Sequence, residues 1–126
     1  MKKLLIAIEL ALLFLSPSAF SAWFSSSPED VAKEYVEALC DRDFKKSYEL
    51  EFHDIPIEYG LYYELMRRQF TKKLDADVSV VDVKKLDQIL PGVDTAVVVL
   101  TIQGTRAKIQ KEYTLINVDG WKVLTN

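Results

Sequence analysis

Apolar positions along this chain change their spacing twice, and each change marks a different kind of segment. From Leu4 to Leu15 they form a nearly unbroken run, interrupted only by Glu9. From Val31 they recur at helical intervals: Val31, Ala32, Tyr35, Val36 and Leu39 share one face, and Lys33, Glu34 and Glu37 take the other. Ser27-Pro28-Glu29-Asp30 supplies an N-cap, a proline at the first helical position and acids in the first turn, so a helix is predicted over 28–40. Asp41-Arg42-Asp43 ends it, and Asp43 is placed to cap a short second helix carrying Phe44, Tyr48 and Leu50. Glu51 to Glu58, with Pro56 inside, reads as a loop. Leu61, Tyr62, Leu65, Met66, Phe70 and Leu74 then form an apolar stripe that predicts a third helix over 59–74.

The second half of the chain is built on a period of two. Val78 to Val83 reads as a strand that gives way to the charged stretch from Lys84 to Gln88. Pro91-Gly92 supplies a turn, and Thr95 to Ile102 is apolar and β-branched enough for a central strand buried on much of both faces. Ala107, Ile109, Tyr113 and Leu115 alternate with polar residues in a half-buried strand, which Lys111 places at a rim. Asp119-Gly120 is a two-residue hairpin turn leading into a short strand from Trp121 to Thr125. Helices first and strands second, with short hairpin links, give an α+β domain over 27–126: three N-terminal helices packed on an antiparallel sheet of about four strands.

The first segment reads as an address rather than as part of that domain. Met1-Lys2-Lys3 is positive, the apolar run covers about 12 residues against the roughly 20 a spanning helix needs, and Ala19 and Ser21 place small residues before a cut after Ser21. This is the pattern of a Sec-type signal peptide over 1–21, followed by a leader over 22–26. The expected product is periplasmic or secreted, with no membrane anchor after cleavage. Composition then has to be read without it. The chain has 126 residues, 49% of them hydrophobic, and a net charge of −3; losing Lys2, Lys3 and Glu9 leaves 105 residues at −4. That is enough for one modest core. A single cysteine, Cys40, rules out an internal disulfide. Its place beside Leu39 suits a small buried hydrophobe, with an intermolecular disulfide or a catalytic thiol as alternatives.

Two stretches resemble a known family. Ser27-Pro28-Glu29-Asp30-Val31-Ala32 with Tyr35-Val36-Glu37-Ala38-Leu39, and then Asp41-Arg42-Asp43-Phe44-Lys45-Lys46-Ser47-Tyr48, resemble the opening of NTF2-like domains, closest to the small exported bacterial ones of the DUF4878 kind. Asp119-Gly120-Trp121-Lys122-Val123 is similar to their final hairpin. The resemblance implies a cystatin-like cone, a curved sheet wrapped around helices with a pocket between them. Many relatives are lipoproteins, and no cysteine here follows the expected cut. Others are isomerases or cyclases with an Asp or Asp/His pair inside the cone, and no such motif aligns, so no catalytic residue carries over.

Candidate chemistry is sparse. His53-Asp54, with Tyr59, Tyr62 and Tyr63 downstream, is the one grouping in which a carboxylate or imidazole base and a tyrosine donor meet, as proton abstraction beside a carbonyl requires. Tyr62, Met66, Tyr113 and Trp121 are the residues expected to line a pocket or meet a partner. One histidine gives no metal-ligand set, and four scattered glycines give no phosphate loop, so neither metal nor cofactor is expected. Arg67, Arg68, Lys72 and Lys73 cluster near the end of the third helix, where its dipole favours cations; the acidic balance and lack of interleaved aromatics exclude nucleic acid. Trp23 and Phe24 stand out in the polar leader, either as residues that simply follow the cut or as ones that dock on the domain, a membrane surface or a partner. The sequence therefore points to an exported, non-catalytic binding or interaction module for a small apolar ligand, a peptide or an envelope protein, with a homodimer left open. A small isomerase or cyclase, and an assembly subunit of an envelope or secretion complex, are the alternatives.

Overall fold

Capping side chains set the first two helices. The computed structural model describes residues 27–125; the expected signal peptide over 1–21 with its expected cut, the leader over 22–26, Trp23 and Phe24 lie outside them. In α1 (Pro28–Cys40) the Ser27 hydroxyl accepts the Asp30 amide at 3.3 Å, and Arg42 at φ 60° turns the chain after it. Asp43 accepts the Lys46 amide at 3.3 Å to start α2 (Phe44–Leu50). Both helices match their sequence patterns.

α3 (Tyr59–Gln69) is shorter than the predicted 59–74. Phe70 leaves helical geometry, its carbonyl accepts Arg42 Nε at 2.9 Å, and the Leu74 amide bonds the Cys40 carbonyl at 2.9 Å. Residues 70–76 are thus tied to the end of α1, and Lys72 and Lys73 fall beyond the helix. The stripe is only half used: Tyr62 is buried and Met66 and Phe70 pack on the core, while Leu61 and Leu65 stay exposed.

The sheet departs from the expectation in number and direction. Five strands, β1 (Glu51–Phe52), β2 (Asp77–Leu90), β3 (Val93–Gln103), β4 (Lys108–Asn117) and β5 (Trp121–Leu124), lie in the order β1-β5-β4-β3-β2. The meander β2 to β5 is antiparallel as expected, but β1 comes from the stretch read as a loop and pairs parallel with β5. The domain is therefore α+β, three helices on an open mixed sheet of five strands. β2 continues through the charged stretch because β3 offers it a full partner, with Lys84 opposite Val97 and Lys85 opposite Ala96. It is an edge strand, where lysines and a register shift around Val81 are tolerated and discourage further pairing. The first half of β4, through Glu112, is exposed rather than half-buried, and Lys111 lays its ammonium over the Tyr113 ring.

The core lies between α1 and the middle of the sheet. Register puts Ala96, Val98 and Leu100 of β3 on one face with Leu115 of β4 and Val123 of β5, and none is more than 1% exposed. Val31, Tyr35, Val36 and Leu39 of α1 and Phe44 of α2 cover them. Each of these valines and leucines contributes about 1.5–3 kcal/mol by leaving water.

Candidate functional site

The same register that builds the core also carries a carboxylate into it. Where α2 ends, the backbone turns extended at Glu51, and pairing with Val123 gives Glu51 the inward face. Its side chain is 4% exposed. Burying a carboxylate costs several kcal/mol unless hydrogen bonds replace water. Here they do. Tyr35 of α1 and Tyr62 of α3 both donate their hydroxyls to Oε2 at 2.7 Å, and His53 Nε2 meets Oε1 at 2.8 Å. Ser47 Oγ lies 3.1 Å from the Phe44 carbonyl and 2.8 Å from the Tyr62 hydroxyl oxygen, which is free to accept from Ser47 because Tyr62 gives its own proton to Glu51. One carboxylate thus joins two helices and the strand behind them.

Burial, followed by the bond to Glu51 and its negative charge, pushes the Tyr35 phenol far above its ordinary value. Tyr62 moves the same way, again chiefly by burial, against a smaller lowering by Ser47. Both stay neutral donors across the physiological range. Around them the Tyr48 ring sits 4.8 Å from His53, 5.0 Å from Tyr62 and 5.3 Å from Tyr59, and its hydroxyl donates to the Ile57 carbonyl. This aromatic cluster pins the 53–58 loop and α3 against α2.

Beside the network opens a cleft of about 940 Å³. Tyr35, Glu51, His53 and Tyr62 contribute its polar side, and Ile57, Leu65, Met66, Ile116, Val118 and Leu124 give it apolar walls. Ile55 and Leu65, 83% and 50% exposed, stand at its mouth. No Lys or Arg is among its described lining residues. A smaller hollow of about 370 Å³ at the end of α1 is rimmed by Glu37, Asp41, Asp43 and Asp75 around the buried Cys40. Burial first, then the Asp41 and Glu37 charges, raise the Cys40 thiol.

The sequence-expected residues separate accordingly. His53 lines the cleft and is held by Glu51; Tyr62 is bonded to the same carboxylate and Met66 forms wall. Asp54 lines the cleft but is exposed, and Tyr59 belongs to the aromatic cluster rather than to the lining. Tyr113 packs edge-on against Tyr35 at 5.7 Å, and Trp121 packs half-buried on the core; neither is among the lining residues. Among the described residues no three His, Cys, Asp or Glu side chains are grouped to hold a metal ion. Glu51, Tyr35 and Ser47 were not candidates from the sequence. Tyr35 carried one signal: a tyrosine on a fully buried helix face needs a partner for its hydroxyl. No family model matches the chain, and no curated protein matches it.

Proposed function

We propose that this chain is an exported NTF2-like binding module that holds a small, largely apolar ligand in the cleft without transforming it. The observation that carries the reading is the cleft itself, with apolar walls, a short polar side and a volume within the roughly 300–1,000 Å³ usual for small-molecule sites. The order of three helices and an antiparallel meander ending in the Asp119-Gly120 hairpin supports the NTF2-like cone. Met1-Lys2-Lys3, the apolar run and the small residues before Ser21 support export. Native mass spectrometry of the protein recovered from cell envelopes tests these points together. The expected spectrum shows the mass cut after Ser21 and a non-covalent adduct that Leu65→Glu loses. An uncut chain counts against export. A ligand-free protein that also fails to bind an apolar fluorescent dye refutes the binding function.

A second reading is favoured by one observation: Glu51 Oε1 holds His53 Nε2 at 2.8 Å, the geometry in which a carboxylate orients an imidazole base. In that reading the enzyme is an isomerase or cyclase whose base is His53 and whose orienting acid is Glu51 rather than Asp54. Deuterium gained by the co-purified ligand in heavy water, with wild type and not with His53→Gln, would support it.

A further inference from the structure

Charge narrows what the cleft can hold. Glu51 lies buried on its polar side, and among the described residues its one ion-pair contact is His53, which is charged only when protonated. No Lys or Arg is among the described lining residues, and Lys122 of β5 gives its ammonium to the Glu49 carbonyl instead. Asp54 adds a second carboxylate to the lining. With His53 neutral, the described lining therefore carries two negative charges and no positive one. With His53 protonated, it still carries one net negative charge. A buried carboxylate without a full counter-charge is costly, and a cation that reaches it is held more strongly than in water.

The hydrogen bonds of Glu51 fix where such a cation sits. Each carboxylate oxygen accepts two. Oε2 has both, from the Tyr35 and Tyr62 hydroxyls, whereas among the described residues Oε1 has one, from His53 Nε2. Oε1 thus keeps a place for an N–H donor. Leu65 and Met66 stand one turn along α3 from Tyr62 and wall the same cleft, so apolar surface lies beside the carboxylate. We infer that the cleft selects a largely apolar molecule bearing an ammonium group, with the ammonium on Glu51 Oε1 and the chain along Leu65 and Met66. This rests on the binding function proposed above.

Displacement of a neutral, apolar fluorescent dye from the full chain by decylamine, decanol and decanoate at neutral pH tests the inference. A hydrogen bond to a charged group makes decylamine roughly tenfold or more tighter than decanol, and decanoate binds weakest. Salt separates the two carboxylates. Attraction to the exposed Asp54 is screened, whereas contact with Glu51, whose side chain is 4% exposed, is screened much less, so the decylamine advantage persists in about 0.5 M sodium chloride. Glu51→Gln, which keeps the shape and removes the charge, abolishes the advantage; circular dichroism checks that it folds, and the salt series decides alone if it does not. Displacement by decanol or decanoate as strong as by decylamine overturns the charge selection and leaves the binding function standing. An advantage that salt abolishes, or that folded Glu51→Gln retains, overturns Glu51 as the anchor. No dye binding by the wild type overturns the binding function itself.

Discussion

Removing the Tyr35 hydroxyl isolates the network that supports the cleft. Tyr35→Phe keeps the ring, its 5% exposure and its edge contact with Tyr113, and deletes one bond of 2.7 Å to a buried carboxylate. Bonds to charged groups contribute about 1.5–3 kcal/mol. Tyr62 still donates to the same oxygen and His53 meets the other, so the carboxylate is not orphaned. The expected loss is therefore at the lower end, about 1.5–2 kcal/mol, a fall in Tm of roughly 6–16 °C for a domain of this size. Tyr62→Phe behaves alike. The double variant leaves Oε2 with no donor, and the desolvation cost of an unmet buried acceptor adds about 1–3 kcal/mol beyond the sum of the singles. Urea titrations of the four proteins measure this. Tyr113→Phe is the control, since no described residue bonds its hydroxyl, and it should change stability by less than about 0.5 kcal/mol. Additivity of the two deletions within about 0.5 kcal/mol would falsify the shared-acceptor account.

Stability should fall as pH rises above about 10, because the unfolded chain releases the Tyr35 and Tyr62 protons near their ordinary value of 10.0 while the fold retains them to higher pH. Unfolding then releases protons; pH-stepped urea curves should show a decline that is shallower in Tyr35→Phe, and equal slopes would refute it. Leu100→Ala, fully buried on the interior strand β3, should cost about 2–5 kcal/mol in the same titration, whereas Ile109→Ala, 51% exposed on β4, should cost little. Cys40, buried with its thiol raised, should resist an aromatic disulfide reagent at neutral pH and react fully in urea; rapid reaction of the native protein would contradict its burial.

Where periodicity and capping agree, the fold was legible in the sequence. Ser27, Asp43 and Gly120 each act through bonds or dihedrals within three residues, and α1, α2 and the last hairpin follow them. The departures are all cases in which a distant partner decides. Arg42 and the Cys40 carbonyl draw residues 70–74 away from the helix their apolar spacing predicts. β3 carries β2 through a charged stretch that alternation alone ends at Val83. A two-residue strand such as β1 has no period to detect, and its parallel partner lies some seventy residues later in the chain.

The candidate site was half legible for the same reason. His53 was found because the chain has a single histidine and because tyrosines follow it. Adjacency points to Asp54 as its partner, yet Asp54 falls in the bend that follows β1 and is exposed. Glu51, two residues before His53, shares its side, and it meets the ring. Two-residue spacing, not adjacency, is therefore the pattern that brings an acid to a base when the segment is extended. What no spacing reveals is the third requirement, that Tyr35 and Tyr62 come from two different helices to hold the acid in place. The β1–β5 register aims Glu51 inward, and the helix packing around it supplies the donors. A glutamate that opens a stretch the sequence reads as a loop becomes the joint between α1, α3 and the sheet, and the wall of the cleft is built against it.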